Sequence, residues 1–409
     1  MKIVRPLFYL AFVLSHQSVF SQSDGGHEHT AHKTKEVCVS MGIECANAAT
    51  PYMSKDGTLW LSWTAGGAIS VAKSDDLGHT FGERIEIANH QKSLDAGGDA
   101  RAAITGDGVN KIFVAYGFFK DNNWNAQINV STSVDSGQHF SSPRSLIKDS
   151  ASQRFPAVSV DPEGRLVIVW IDKRLVARAK ENGEDRLGGS IAYAWSEDFG
   201  QTFDVEKIAN PNSCECCRIG VVSSSKGQAA LAYRAIFPGG VRDHAVQFID
   251  EKQTKLAKIY PISDDNWKTD VCPHQGPSIA VSKNHTLHTV WYTQGSNRKG
   301  IFYSKSNEQG SKFSKPIRLG QESKSETRPF VFAIENKIWI VWKEFNGSES
   351  IIWTRFSKDD GNKWGPDHKV SQTSGYSDHP LLIENNGEVF LSWLTRLDGY
   401  QFIKLDEIQ

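Results

Sequence analysis

Leu166-Val167-Ile168-Val169-Trp170 is a run of five apolar residues closed by an aromatic. Twenty residues on comes Ile191-Ala192-Tyr193-Ala194-Trp195, and directly after it the turn Ser196-Glu197-Asp198-Phe199-Gly200-Gln201-Thr202-Phe203. Runs of this length, bounded by turn residues, read as β-strands. The first run has six relatives. They are Leu59 to Trp63, Ile112 to Tyr116, Ala229 to Tyr233, Leu287 to Trp291, Ile338 to Trp342 and Val389 to Trp393. The closing aromatics are spaced by 51 to 63 residues, a period that means one supersecondary unit repeated along the chain. Each copy has a short strand before it, often opened by proline (Pro51, Pro156, Pro277, Pro329, Pro380), and two strands after it, as in Arg84-Ile85-Glu86-Ile87. Four antiparallel strands per unit predict an all-β propeller, with seven blades, or six if one copy is irregular. Helical periodicity is nearly absent, and its best candidate, Val176 to Asn182, is short and polar. The last copy stops after its third strand, so an N-terminal strand at Glu36-Val37-Cys38-Val39-Ser40 is expected to complete it and close the ring.

The turn carries a finer signature. Ser74-Asp75-Asp76-Leu77-Gly78-His79-Thr80-Phe81 and the turn from Ser196 to Phe203 both fit S-x-D-x-G-x-T-F, and looser copies begin at Ser133, Ser306 and Ser357. The Asp can accept backbone N–H groups within the hairpin, the Gly supplies a positive φ, and the final aromatic plugs the layer between sheets. These aspartates therefore read as structural. The five turns resemble the Asp-box (BNR) repeats of the sialidase (neuraminidase) superfamily, and the resemblance extends over most of the chain.

Lys2 and Arg5 precede the apolar run Leu7 to Leu14, and the cleavage region follows in Val19-Phe20-Ser21-Gln22, with the cut after Ser21. That pattern predicts a signal peptide over residues 1–21, a His-rich flexible segment over 22–34, and a single propeller domain over 35–409. A secreted or periplasmic protein without a transmembrane anchor is expected. With 46 Lys+Arg against 47 Asp+Glu, the chain lacks the basic excess that a nucleic-acid binder uses to displace counterions.

Chemistry is expected at the loops that enter the innermost strands, on the face opposite the hairpins. Those loops hold Asp95 to Arg101, Arg154-Phe155-Pro156, Cys214 to Arg218, Asp270 to His274, Glu326 to Pro329 and Tyr376 to Pro380. The long connection Ile171 to Gly189 adds Arg174, Arg178 and Arg186. The family resemblance implies an exo-sialidase-type glycoside hydrolase or an acidic-glycan binder, in which guanidinium forks hold a substrate carboxylate. The residues offered for that grip are Arg101, Arg154, Arg218 and Arg328. Arg154-Phe155-Pro156 resembles the R-I-P part of the family's F-R-I-P motif, with Phe in place of Ile. Sialidases use a Tyr nucleophile assisted by a Glu and an Asp acid. The corresponding candidates are Tyr376, Glu326 and Asp99.

Cysteines give a different reading. Cys214, Cys216 and Cys217 enter the fourth blade, and Cys272 and His274 enter the fifth. Four thiols and an imidazole suit copper(I) or zinc, in a metal-binding or redox propeller. The alternative for the same residues is disulfide bonding, which an oxidising compartment favours. Cys38 with Cys45 could close a small loop, and Cys272 could tie to one of the clustered three. A third reading is a non-catalytic interaction propeller that presents its loops to a protein or glycan partner.

Overall fold

The computed structural model describes residue 38 and residues 40–408, apart from 150, 187, 270, 272, 308 and 322–324. From Val39 onward the chain is one compact unit. It forms seven antiparallel blades in a ring. The innermost strands are Ala48–Met53, Ala103–Gly106, Gln153–Val160, Gly220–Ser225, Ser278–Val281, Ser325–Ile334 and Leu381–Asn385. Each pairs with the apolar second strand found in the sequence, and the third and fourth strands follow outward. Blade 2 has both Leu94–Asp95 and Ala103–Gly106 paired to the strand Ile112–Phe119, and blade 7 shows three strands among the described residues. The expected closing strand at Glu36 to Ser40 lies mostly outside those residues, and Cys38 and Ser40 carry no strand assignment. The signal peptide and the His-rich segment also lie outside them.

The second strands are buried along their length because each blade is covered on both faces by its neighbours. Leu59–Ala65 and Leu166–Asp172 are buried at every position. Apolar clusters fill each seam between neighbouring blades. The seam between blades 7 and 1 is filled by Leu394 with Ala49, Leu61 and Trp63, so apolar packing closes the ring. The aromatic that ends the second strand has its polar edge satisfied at the same level. Trp170 Nε1 donates to Asp172 (2.9 Å), Trp291 Nε1 to Asp265 (2.7 Å), Trp342 Nε1 to Glu344 (3.1 Å) and Trp393 Nε1 to the carbonyl of Asp378 (3.0 Å). A buried indole needs such a partner.

In all five hairpin turns the Gly N–H donates to the opening Ser Oγ, and in the turns at Ser74, Ser133, Ser196 and Ser357 that Oγ donates to the Asp carboxylate. In the first, Ser74 Oγ donates to Asp76 (2.7 Å) and accepts from the Gly78 N–H (2.8 Å), and the Asp76 carboxylate accepts from the Thr80 N–H and hydroxyl. A non-glycine residue with positive φ stands directly before the Gly in every copy: Leu77, Ser136, Phe199, Gln309 and Asp360. The glycine has a second duty that the sequence did not show. A Cβ on Gly137 would lie 2.2 Å from the Trp60 ring, and one on Gly200 2.3 Å from Phe113, both on the preceding blade. The turn is thus pressed against the neighbouring blade. The closing aromatics Phe81, Phe140, Phe203, Phe313 and Trp364 pack into the seam clusters.

The weak helical signal at Val176 to Asn182 corresponds to a helix at Arg174–Glu181. Its first residue, Arg174, is held by Asp172 (3.0 Å) and Glu206 (2.5 Å).

Candidate functional site

Strand register identifies one equivalent position in all seven blades. The central residue of each second strand pairs with Pro51, Ile104, Val158, Val221, Ile279, Val331 or Leu382 of the innermost strand. Three residues before these stand Ala48, Arg101, Phe155, Arg218, Gly276, Arg328 and His379. Three guanidinium groups and an imidazole therefore share one level at the mouth of the ring. In blades 3 and 6 the register slips here, and Phe155 and Arg328 both adopt a positive φ just before proline. A bulge of this kind re-aims a side chain out of the ladder. His274 and Glu326 come two residues before the equivalent position in their blades.

The ion pairs show that these side chains meet across the ring. Arg328, on blade 6, lies 2.8 Å from Asp99 in the loop entering blade 2, and Arg218, on blade 4, lies 4.0 Å from the same carboxylate. None of these blades is a neighbour of another. Arg101 forks onto Asp378 (2.9 and 3.2 Å), which also accepts the N–H groups of Ala49 and His379. The three arginine side chains are 14–18% exposed, Asp99 is 9% exposed and Asp378 1%. One carboxylate, Asp99, thus faces two guanidinium groups, and the site carries an excess of positive charge.

Two basic groups that the sequence reading did not single out complete the cluster. Lys343 Nζ donates to the carbonyl of Ser377 (3.0 Å), and burial pushes its ammonium down to about 8. The His379 imidazole is pushed well below its usual range, first by burial and then by Arg328, Arg101 and Arg218. The residue is half-buried, its Nδ1 is buried without a partner, and a Cβ on Gly98 would sit 2.5 Å from its ring. Only glycine lets the loop from Asp95 to Arg101 lie on the imidazole. Burial pushes Arg218 down to about 10, which leaves it cationic at neutral pH. Signals for His379 and Lys343 were present but diffuse: the one precedes a proline, as Phe155 and Arg328 do, and the other follows a closing tryptophan.

The remaining candidates fall as follows. Tyr376 exposes its ring at the rim, while its hydroxyl donates to the carbonyl of Asn47 (3.1 Å) and has its pKa raised by partial desolvation and then by Asp378. Glu326 is bound by Arg318 and stands opposite Glu344 in the ladder; burial raises its pKa. The structure therefore brings Asp99, Arg101, Arg218 and Arg328 together, sets Tyr376 at their edge, and engages Glu326 with a different partner. Arg154 sits one residue before the equivalent position. It forks onto Asp95 (2.7 and 2.7 Å) and stacks over Phe155 and Phe119.

The cysteines converge beneath Arg218. Cys214 Sγ lies 3.2 Å from Cys217 Sγ and 3.7 Å from Cys216 Sγ. Cys214 and Cys217 are free thiols, whereas Cys38, Cys45 and Cys216 are disulfide-bonded. Cys272 lies outside the described residues. The Cys214 thiol is held down at about 5 by its bond with Cys217 and by Arg234, while Cys217 is pushed up. The His274 ring packs edge-on to Phe155, and its carbonyl accepts from Arg328. Among the described residues, the sulfurs of Cys214, Cys216 and Cys217 lie within 4.8 Å of one another, close enough to face a single metal ion.

No protein-family model and no curated protein matches the chain. Among solved structures it is similar to a PL25 polysaccharide lyase, an ulvan lyase bound to -[GlcA(1-4)Rha3S]-, with a TM-score of 0.56 at 10% identity over 91% of this chain and 94% of that one. It is similar also to the polysaccharide lyase Uly1, with a TM-score of 0.53 at 11% identity over 95% and 94%. A Trypanosoma rangeli sialidase superposes at 0.46, with 15% identity over 76% of this chain and 54% of that one, too loosely to carry an argument. At such identities the likeness is one of fold alone, a seven-bladed propeller.

Proposed function

We propose that the chain is an exported, carbohydrate-acting propeller that takes a carboxylate-bearing glycan at the mouth of its ring. The observation that carries this reading is Asp99, one carboxylate set against both Arg218 and Arg328. A substrate carboxylate adds the missing negative charge, and guanidinium forks offer it paired donors. Lys343 supplies a further cation, and Tyr376 an exposed ring for a sugar face. The fold neighbour bound to a GlcA-containing polysaccharide is in keeping with an acidic glycan. In a hydrolase of the exo-sialidase type, Tyr376 would be the nucleophile and Asp99 the acid. Glu326, the assistant in that scheme, is the member whose partner is Arg318.

Calorimetric titration of the purified chain with a glucuronate-containing oligosaccharide, a sialoside and a neutral oligosaccharide tests the reading. We expect binding of an acidic sugar alone, weakened at least about tenfold by Arg328→Ala. Equal affinity for neutral and acidic sugars, or no effect of Arg328→Ala, would sink it. Turnover of a fluorogenic sialoside separates hydrolase from binder.

A further inference from the structure

Cys214 and Cys217 form a C-x-x-C pair whose sulfurs stand 3.2 Å apart, wider than the bonded distance of about 2.05 Å. Beside them is Cys216, already in a disulfide, 3.7 Å from Cys214. All three are buried in the seam between blades 3 and 4. Above the thiols lies Arg234, 1% exposed, with Nη1 3.7 Å from Cys217 Sγ and 3.9 Å from Cys214 Sγ. Its guanidinium stacks on Trp267 at 3.9 Å and donates through Nε to the Arg242 carbonyl. Among the described residues it makes no ion pair with a carboxylate, and Nη2 has no hydrogen-bond partner. A buried cation of this kind needs counter-charge: the Asp243 carboxylate acts on it from beyond ion-pair distance, and the two sulfurs lie directly against its Nη1.

We propose that Cys214, Cys216 and Cys217 form an internal thiol–disulfide exchange centre, in which the disulfide held by Cys216 passes to the Cys214–Cys217 pair. In the first step Cys214 sulfur attacks Cys216 sulfur. The bond between Cys216 and its present partner breaks, and the departing sulfur takes the electron pair and the proton that Cys214 gave up. In the second step Cys217 attacks Cys214. The Cys214–Cys216 bond breaks, and Cys216 leaves with the electron pair and the proton from Cys217. One disulfide is exchanged for another, two electrons pass from the Cys214–Cys217 pair to Cys216 and its partner, and no external oxidant or reductant is consumed. Arg234 faces both attacking sulfurs and balances the charge as it moves. The centre ends one residue before Arg218, so its bonding state bears on where that guanidinium stands.

The test is a disulfide map of the full chain. Protein is held at pH 8, quenched in acid at intervals, alkylated and digested, and its cross-linked peptides are identified by mass spectrometry. We expect both Cys216 in its present bond and the Cys214–Cys217 disulfide in one wild-type preparation. Cys217→Ser should yield the intermediate Cys214–Cys216 bond, Cys214→Ser the present bond alone, and Arg234→Met an interchange slower by about tenfold. Thermal melting of each variant checks that it folds, and the wild-type map stands without them. Recovery of the present Cys216 bond alone at every time, with Cys214 and Cys217 both alkylated, would overturn the proposal. So would one equivalent of zinc or copper that protects these thiols from alkylation until a chelator removes it.

Discussion

Arg328 and Asp99 lie 2.8 Å apart although 229 residues separate them and their blades are not neighbours. The pair spans the ring, so it cannot be made until the blades that carry it have docked. Its worth is set by what remains when one partner goes. Asp99→Asn leaves Arg218 and Arg328 facing each other with little solvent to screen them. Removing one member of such a pair costs about 3–5 kcal/mol. Urea unfolding should show that loss, and a bound acidic oligosaccharide should restore part of it. A loss under about 1 kcal/mol would mean that solvent already screens the two arginines.

The hairpin glycines make a separate prediction. Gly200 has φ 84°, and a Cβ there would lie 2.3 Å from Phe113 of the preceding blade. Gly164 has nearly the same φ, 83°, but its Cβ would meet nothing within 4 Å. Gly164→Ala therefore reports backbone strain alone, about 1 kcal/mol. Gly200→Ala adds overpacking of about 1–3 kcal/mol. Equal losses in chemical denaturation would show that Phe113 moves aside and that the turn does not seal the seam.

The ring was legible in the sequence because its units repeat. The period of the closing aromatics, the turns at Ser74 and Ser196 and the prolines before the inner strands all mark one register. Reading that register placed Arg101, Arg218 and Arg328 at the mouth. What the sequence could not supply is which charges meet across the ring. Asp99 answers to Arg328 through a contact between distant blades, and Glu326 is taken by Arg318, eight residues earlier in the chain. Lys343 was hidden because it continues a strand rather than a loop. The oxidation state of the cysteines is likewise a matter of sulfur geometry, to which spacing is blind.

Acid should loosen the turns selectively. Asp76 is held down at about 2, chiefly by the Thr80 hydroxyl and then by the Thr80 N–H and Ser74. Its unfolded value is the ordinary 3.8, so the folded state binds fewer protons between the two. The stability it adds is present above pH 3.8 and is lost as pH falls through about 2. Asp76→Ala should lower the melting temperature at pH 7, and the gap should have largely closed near pH 2. A gap that persists at pH 2 would assign the loss to packing instead of to the carboxylate.

Lys343 sets the pH dependence of the proposed site in the alkaline direction. Burial lowers its ammonium from the ordinary 10.5 to about 8, so the folded protein binds fewer protons than the unfolded chain between those values. The sign for folding follows: burying the charged form costs stability below pH 8, and stability rises as pH climbs from 8 towards 10.5. The sign for ligand binding is opposite, because an anion gains from the charge that folding disfavours. Affinity for an acidic oligosaccharide should fall as pH rises from 7 to 9. Lys343→Met should bind more weakly at pH 7 and lose that dependence, while unfolding at higher urea below pH 8 than wild type does. Calorimetric titration across pH 7 to 9 on both proteins decides it: parallel curves would mean that the ammonium takes no part in holding the ligand.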